Sequence, residues 1–288
     1  MNAKLKKIDK AKLFLTKNFN LFQCPVCKQR ITGIDGQSLV CENNHRFDLS
    51  KKGTLFLLKH GVNSGYDDKA LWLARRNLLQ SGLFDGILDE IIKHLPQKEQ
   101  KILDIGCGEG TPLSKIAIQR LKFNDSCVGF DISKDAINLA TQQDTNNFFC
   151  IADLANLPFA DQSFDVLIDI LSPSAYHEFH RVLKPNGKLF KVIPNANYLI
   201  ELRHRLYQKE SKNYTYSNQD VIKRFKEIYH DFEIYPVKYQ FNLTSQLQQD
   251  LVKMTPLQWG SSIDISEVLK QPLNQITVDF SLLIAKNQ

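Results

Sequence analysis

Four residues near the beginning of the sequence have the types and the spacing of a metal site. Cys24 and Cys27 enclose Pro-Val, and Cys41 and His45 follow after a spacer of thirteen residues. Thiolates and imidazoles are the ligands that Zn²⁺ prefers, and two close pairs of them complete a tetrahedron. Because four protein ligands leave no position for a substrate water, the quartet predicts one structural zinc ion. The alternative is a group of unrelated thiols in the core.

A glycine-rich turn is the second feature with chemical meaning. The apolar residues 101–105 lead through Asp104 into a turn that contains Gly106, Gly108 and Gly110, and a helical pattern follows. Glycine tolerates positive φ and lets the backbone approach a ligand closely. Such a turn is typical of nucleotide sites, but alone it fits a dinucleotide-binding dehydrogenase equally well.

Two acidic residues make the nucleotide site more specific. Asp131 ends the next predicted strand, and Asp153 ends the strand after it. In open α/β sheets, ligands bind at the carboxyl ends of the strands. A carboxylate at Asp131 can accept both hydroxyls of a ribose, and one at Asp153 can accept an adenine amino group.

The elements that must position these residues alternate between strand and helix. This rhythm predicts an α/β fold with a doubly wound, mostly parallel, seven-stranded sheet, preceded by a small β-rich zinc-binding domain. Two late strands are expected to pair antiparallel at the sheet edge. The predicted strands are 101–105, 127–131, 148–152, 165–170, 188–193, 237–242 and 277–285, and the predicted helices of the core are 113–120, 134–141 and 176–183.

The organisation and the charge point to three regions. We expect a lysine-rich arm with the zinc-binding domain in residues 1–60, a helical connection in 61–95 and a catalytic domain in 96–288. Residues 1–60 hold 12 Lys and Arg against 4 Asp and Glu, whereas the remaining residues are nearly neutral. A basic module favours a nucleic-acid partner. For the first seventeen residues, a solvated lysine tail, a disordered arm and an amphipathic helix all remain open.

Two exclusions follow from the apolar residues and the cysteines. No apolar run approaches the roughly 18–20 residues of a membrane span, so the sequence predicts a cytoplasmic protein without a membrane partner. Cys107, Cys127 and Cys150 lie in apolar surroundings and are expected to be buried, reduced thiols.

Residues 101–193 together resemble the class I S-adenosylmethionine-dependent methyltransferases. The resemblance rests on Asp104 with the glycine turn, on Asp131 and Asp153, and on the Leu-Lys-Pro motif at Leu183. It implies S-adenosylmethionine as the cofactor, with Asp104 near its methionine end.

The whole chain from about Phe22 is similar to the bacterial 23S rRNA guanine-N1 methyltransferases. The similarity adds the Cys-Pro-Val-Cys knuckle, Ala74-Arg-Arg, Tyr198-Leu-Ile-Glu-Leu and Met254-Thr-Pro-Leu-Gln-Trp. It implies methyl transfer to a guanine in a 23S rRNA hairpin loop, which the zinc domain helps to hold. The further cofactor contacts that it implies are Phe84, Pro112, Leu113 and Tyr198. The lysine arm before Phe22 departs from the family pattern, and both a monomer and a homodimer fit the sequence.

A ring nitrogen as the target makes particular demands on the site. Guanine N1 carries a proton that must leave as the methyl group is transferred, and a general base would assist. Asp169 and His177 are the candidates, with a strand-end hydrogen-bonding acid and a helix-surface histidine as the alternatives. The segment that begins at Asp169 lacks the Asn/Asp-Pro-Pro-Tyr motif of many amino-group methyltransferases, which favours a ring nitrogen.

The RNA-binding candidates are aromatic and basic side chains. A base captured from a hairpin loop would stack on aromatic rings. The aromatic candidates are Trp72, Phe84, Tyr176, Tyr198 and Trp259, and the candidates for phosphate contacts are Lys51, Lys52, Arg75, Arg76, Arg203 and Arg205. Two other functions remain open at this stage: a small-molecule methyltransferase with a purely structural zinc module, and a non-enzymatic RNA-binding protein.

Overall fold

The computed structural model describes residues 5–59, 68–257 and 265–287. The described helices are α1 (Lys7–Asn18), α2 (Lys69–Gln80), α3 (Asp85–His94), α4 (Thr111–Gln119), α5 (Lys134–Ala140), α6 (Tyr176–Val182), α7 (Ile200–Leu206), α8 (Gln219–Ile228), α9 (Ser245–Met254) and α10 (Ile265–Lys270). The described strands are β1 (Ile31–Asp35), β2 (Ser38–Cys41), β3 (Arg46–Asp48), β4 (Leu55–Phe56), β5 (Lys101–Ile105), β6 (Ser126–Asp131), β7 (Phe148–Ile151), β8 (Phe164–Ile170), β9 (Leu183–Pro194), β10 (Phe232–Asn242) and β11 (Gln275–Lys286).

The chain divides into two compact units. The first contains the described parts of Met1–Asp67, Leu95–Phe190 and Lys286–Gln288, and the second contains those of Asp68–His94 and Lys191–Ala285. No helix of the described residues is long and apolar enough to cross a membrane.

The first unit is built around parallel strands. They follow the order β9-β8-β5-β6-β7-β4, and β5 pairs in parallel with β6 and β8. Ile102 and Leu103 of β5 are fully buried, as expected for strands covered on both faces. The doubly wound fold is confirmed, but the sheet has eight strands instead of the seven expected. The additional strand is β4, which continues from the cysteine module and pairs in parallel with β7.

The cysteine module has a small antiparallel sheet of its own and is joined to the parallel sheet by the backbone. Its strands follow the order β1-β2-β3. The backbone N–H of Gln23 donates to the carbonyl of Pro158 at 3.0 Å, and that of Ala160 donates to Leu21 at 2.9 Å. Phe22 packs with its ring centroid 5.6 Å from that of Phe148. Within the first unit, the module therefore shares a core with the parallel sheet.

The lysine-rich arm forms a helix, which decides among the alternatives left open by the sequence. Leu15 of α1 is fully buried, and the ring of Phe14 stacks on that of Phe148 with centroids 5.3 Å apart. The lysines alternate with apolar positions because α1 is amphipathic, with one face packed against the protein.

The second unit combines helices with a long antiparallel pair. β10 pairs with β11 along its whole length, from Phe232 opposite Ala285 to Asn242 opposite Gln275. This confirms the two antiparallel late strands, with β10 at the edge. Asp68 immediately precedes helix α2, and its carboxylate caps the helix by accepting from the N–H of Ala70 at 2.8 Å.

Candidate functional site

The glycine turn connects β5 to α4 and has a left-handed backbone at each of its three glycines. Gly106, Gly108 and Gly110 have φ values of +63°, +56° and +83°. A Cβ at Gly110 would lie 2.9 Å from the Cβ of Ala140 and 3.0 Å from the ring of Phe149. The turn therefore combines a left-handed backbone with close packing, and its N–H groups lie at the beginning of a helix, where anionic ligands bind.

Alanine at Gly110 should destabilise the fold. We expect about 1–2 kcal/mol of backbone strain and about 1–3 kcal/mol from overpacking in the free energy of unfolding by urea. Gly36 is the matched control, because its φ is +61° but no atom lies within 4 Å of a Cβ there. Gly36→Ala should show the strain alone, and equal losses for both variants would contradict the packing argument.

Asp131 lies at the carboxyl end of β6 and is tied to the glycine turn. Its Oδ2 accepts a hydrogen bond from the N–H of Gly108 at 3.0 Å, and its Oδ1 accepts one from the N–H of Ser133 at 2.9 Å. The residue is buried. A fixed carboxylate beside the turn is the geometry that a ribose contact needs.

The remaining cofactor candidates of the first unit surround the same strand ends. Asp104 is buried near the end of β5, and Pro112 and Leu113 are buried in the first turn of α4. Asp153 follows β7 and is half-buried, and its Oδ1 accepts from the N–H of Ala155 at 2.9 Å. The sheet topology thus brings Asp104 and Asp131 to neighbouring strands, β5 and β6, with Asp153 just after β7.

Phe84 and Tyr198 belong to the second unit, where both contact one ring. The centroid of Phe280 lies 5.4 Å from that of Phe84 and 4.7 Å from that of Tyr198. Phe84 is buried, whereas Tyr198 is half-buried, and desolvation raises the pKa of its phenol. Their role in cofactor binding stays a prediction.

The two candidates for the general base lie in different environments. Asp169 is fully buried at the end of β8, and its oxygens accept from the N–H of Ser172 at 3.2 Å and from Oγ of Ser174 at 2.9 Å. Leu171 between them has a φ of +57°, which is strained for a branched side chain. The side chain of His177 is 93% exposed at the beginning of α6. This geometry favours the alternatives, a structural acid and a surface histidine.

The cysteine–histidine quartet has the dimensions of a zinc site. Its four ligand atoms all lie within 4.8 Å of one another. A tetrahedron with zinc–ligand bonds of about 2.0–2.3 Å has edges of about 3.6–3.8 Å. The Sγ atoms of Cys27 and Cys41 are 3.8 Å apart, and Nδ1 of His45 is 3.5 Å from the Sγ atoms of Cys24 and Cys41. The residues present therefore fit the ion.

The protonation of the quartet is divided between its thiols. Burial raises the pKa of Cys24 to about 11. At Cys27 desolvation is outweighed by the backbone of Gln29 and the neighbouring cluster side chains, and its pKa is lowered to about 6. Zinc binding must therefore displace at least one proton. All six cysteines of the chain are free, and burial raises the pKa values of Cys107, Cys127 and Cys150, as expected for inert thiols.

Several candidates for RNA contacts have structural roles. Trp72 and Tyr176 are buried. Arg203 is buried, its guanidinium donates to the carbonyl of Asn213 at 2.9 Å, and burial lowers its pKa. Arg205 donates to the carbonyl of Pro272 at 2.9 Å. Trp259 lies outside the described residues.

The other basic candidates lie nearer the surface. Arg75 and Arg76 are half-buried on α2, and the guanidinium carbon of Arg75 lies 5.6 Å from the centroid of the Trp72 ring. Lys51 and Lys52 are exposed in the turn before β4.

A clamp on α6 was missed from the sequence. Oε2 of Glu178 accepts from the N–H of Leu157 at 2.7 Å and from Arg181 at 2.7 Å. The guanidinium of Arg181 also donates to the carbonyl of Phe159 at 2.7 Å. This ion pair holds the segment that follows Asp153. The spacing of three between the two charges on one helix was the available signal.

Comparison with known proteins identifies two parts of the chain, a zinc-binding module and a methyltransferase domain. A family model described as the N-terminal zinc ribbon of RlmA matches residues 22–59, and a methyltransferase-domain model matches residues 96–253. A methyltransferase domain of this kind uses S-adenosylmethionine, and the cluster of Cys24, Cys27, Cys41 and His45 holds one structural zinc ion.

Relatives along most of the chain identify the family. YxjB of Bacillus subtilis, whose name describes a 23S rRNA (guanine-N1) methyltransferase, is 37% identical over 93% of this chain and 98% of its own. A protein of Micromonospora griseorubida with the same description is 28% identical over 64% of this chain and 69% of its own. The 23S rRNA (guanine(748)-N1) methyltransferase of Streptomyces fradiae is 27% identical over 62% of this chain and 65% of its own. The chain belongs to the family of 23S rRNA (guanine-N1) methyltransferases.

Proposed function

We propose that this protein transfers a methyl group from S-adenosylmethionine to N1 of a guanine in a hairpin loop of 23S rRNA. The observation that carries the proposal is the presence, within one compact unit, of a closed zinc quartet and a glycine turn tied to a strand-end acid. Membership of the family supports the substrate. The zinc quartet has all its positions filled by protein, so its role is structural, and we propose that the module it stabilises helps to bind the RNA.

The cofactor would be held mainly at the carboxyl ends of β5, β6 and β7. S-adenosylmethionine supplies an electrophilic methyl group on sulfur. We assign Asp131 to the ribose hydroxyls, Asp153 to the adenine amino group and Asp104 to the methionine end. The glycine turn would admit the cofactor to close backbone contact. The remaining contacts in the proposal are Phe84, Pro112, Leu113 and Tyr198.

The transfer forms a bond between guanine N1 and the methyl carbon while the bond from that carbon to sulfur breaks. The N1 proton leaves to a water molecule or base, and the guanine remains neutral. In-line alignment of N1 with the methyl group would supply most of the acceleration. We propose that Asp169 positions its loop through Ser172 and Ser174 rather than taking this proton, because its oxygens already accept hydrogen bonds from that loop.

Replacement of Asp169 by asparagine tests this assignment. An amide retains only one acceptor oxygen, so one loop hydrogen bond should be lost and kcat should fall by roughly tenfold, about 1.4 kcal/mol. The slope of kcat against pH should be unchanged. Ser174→Ala, which removes the same contact from the other side, should cause a comparable loss, and the double variant should lose little more. Disappearance of the acidic limb of the pH profile would instead identify Asp169 as the base.

The RNA would be held by the basic N-terminal region and by aromatic side chains near the target base. In the proposal, residues 1–60 bind zinc and RNA, residues 61–95 connect, and residues 96–288 transfer the methyl group. Of the candidate cations, Lys51 and Lys52 are exposed and Arg75, Arg76 and Arg205 are half-buried. A cytoplasmic site of action follows from the ribosomal substrate, and light scattering would distinguish a monomer from a homodimer.

The test is methylation of 23S rRNA in vitro. Purified protein, labelled S-adenosylmethionine and an unmodified 23S rRNA fragment should yield 1-methylguanosine by mass spectrometry of the nucleosides. A fragment with adenosine at the target position should remain unlabelled. Formation of 2-methylguanosine, or no incorporation while the cofactor binds, would contradict the proposal. Labelling of small molecules alone would favour a small-molecule methyltransferase.

A further inference from the structure

The lysine-rich helix α1 borders a cavity that the methyl-transfer chemistry does not use. The cavity has a volume of about 510 Å³ and lies between α1, the turn at Lys52 and residues 141–149. All these parts belong to the first unit. None of the proposed cofactor contacts lines it.

A glycine allows α1 to approach this turn. Gly53 has a φ of +76°, and a Cβ there would lie 2.6 Å from the carbonyl oxygen of Lys7 and 3.0 Å from Cβ of Ala11. Only glycine permits both the backbone conformation and the close contact. The packing brings the side chain of Lys52 to the same groove as the lysines of the helix.

The groove has an excess of positive charge. Lys7, Lys10 and Lys17 of α1 line it together with Lys52, and the helical spacing of three and ten residues places the first three on one face. Lys10 lies 3.5 Å from the exposed Asp144. Within the described ranges, no carboxylate pairs with Lys17. Such a row of cations fits a polyanion.

Asp125 is the second acid among the described lining residues, and it is already neutralised. Oδ2 of Asp125 lies 2.6 Å from Nε of Arg120, and both side chains are nearly fully buried. Among the described residues that line the groove, four lysines thus stand against Asp144 and an Asp125 that Arg120 already pairs.

The opposite wall offers hydrogen-bonding groups next to aromatic rings. Oγ1 of Thr145 and Nδ2 of Asn147 are buried and have no hydrogen-bond partner among the described residues. Both residues line the cavity, together with Phe14 and Phe149. A buried donor without a partner costs about 1–3 kcal/mol, which a ligand acceptor recovers once the side chain turns toward the cavity. Amide and hydroxyl groups beside rings suit the edge and the face of a nucleobase.

We propose that this groove docks a single-stranded segment of RNA, with phosphates on the lysines and one unstacked nucleotide in the cavity. The proposal rests on the proposed function for the identity of the RNA, but it assigns a second RNA surface on the lysine arm in addition to the zinc module. From Lys7 to Lys17 the helix rises about 15 Å. That length matches about four phosphates at the spacing of a stacked strand.

Charge removal at two pairs of lysines in the same segment tests the groove. The variant Lys7→Gln/Lys17→Gln removes two lysines that line it, and Lys6→Gln/Lys12→Gln removes two lysines of the same segment that do not. Binding of a labelled single-stranded RNA of about 12 nucleotides is measured between about 50 and 200 mM salt. The groove variant should raise Kd at least tenfold. It should also lower the slope of log K against log salt by about 1.4, because each of the two lost phosphate contacts contributes about 0.7. The control should change Kd less than threefold.

The cavity is tested separately by the nucleobase. The wild-type protein should prefer this RNA over an abasic strand of equal length, and Thr145→Val/Asn147→Ala should reduce that preference at least threefold. Unchanged S-adenosylmethionine binding by each variant shows that it is folded. The proposal would be overturned if both lysine pairs had equal effects or if neither had any. It would also be overturned if the groove variant lost affinity for anionic lipid vesicles but retained its RNA binding.

These binding measurements do not depend on methyl transfer. If 23S rRNA is not methylated but the groove variant still binds RNA less tightly than the control, the proposed function fails and the groove stands. If methylation proceeds and the two lysine pairs behave alike, the groove alone fails.

Discussion

Replacement of Cys24 by serine is expected to release the zinc ion and unfold the cysteine module. Zinc contributes about 10–16 kcal/mol to the folding of small zinc peptides, which is comparable to the stability of a whole domain. The three strands β1, β2 and β3 are short, and β3 has no fully buried residue. Without the ion, the antiparallel sheet of the module has too little core of its own to remain folded.

The same substitution should also weaken cofactor binding, which the sequence alone does not suggest. The sequence alone predicts that loss of Cys24 affects RNA binding and the module first, with cofactor binding largely spared. In the structure, Gln23 next to Cys24 donates to Pro158, and Leu57 donates to Ile151 at 2.8 Å. Both contacts flank Asp153. We therefore expect the affinity for S-adenosylmethionine to fall by roughly tenfold, about 1.4 kcal/mol.

Three measurements check this expectation. The zinc content should fall from one ion per chain, amide exchange should rise in residues 31–56 and 148–160, and calorimetry should give the weaker cofactor affinity. Cys127→Ala is the control, because Cys127 is a buried thiol of β6 outside the quartet and its loss should leave the zinc content at one. Rapid exchange confined to the module, with cofactor affinity unchanged, would show that the two sites are independent.

The strands of the parallel sheet and the zinc quartet could be predicted because their signals are local. β5 agrees with the prediction at both ends, and the other predicted core strands exist with shifted ends. Buried parallel strands are continuous apolar runs, so hydrophobicity alone identifies them. The metal site needs only ligand types at the right spacing.

Other features could not be predicted because they depend on contacts between distant segments. Strands β1 and β3 have only five and three residues, too few for an apolar period to stand out. Arg205 donates a hydrogen bond to the carbonyl of Pro272, which lies more than sixty residues away in the sequence. The place of the two-residue strand β4 in the parallel sheet depends on its pairing with β7. Sequence periodicity carries no information on such pairings.

Replacement of Asp131 by alanine should abolish cofactor binding at micromolar concentrations. The variant loses the proposed ribose contact and leaves the N–H groups of Gly108 and Ser133 without their acceptor. Each unpaired buried group costs about 1–3 kcal/mol, so the glycine turn should loosen and the free energy of unfolding should also fall. We expect the Kd for S-adenosylmethionine to rise at least a hundredfold, about 2.7 kcal/mol.

A ligand that lacks a ribose hydroxyl separates the two causes of this loss. If Asp131 contacts the ribose, the wild-type protein should bind 2′-deoxy or 3′-deoxy analogues of S-adenosylhomocysteine more weakly than the parent compound, whereas Asp131→Ala should not discriminate between them. Such a cycle isolates the contact from the loosening of the turn. Asp161→Asn, an exposed carboxylate of the same unit, should retain full discrimination. Discrimination that persists in Asp131→Ala would assign the ribose to another side chain and leave Asp131 with the turn alone.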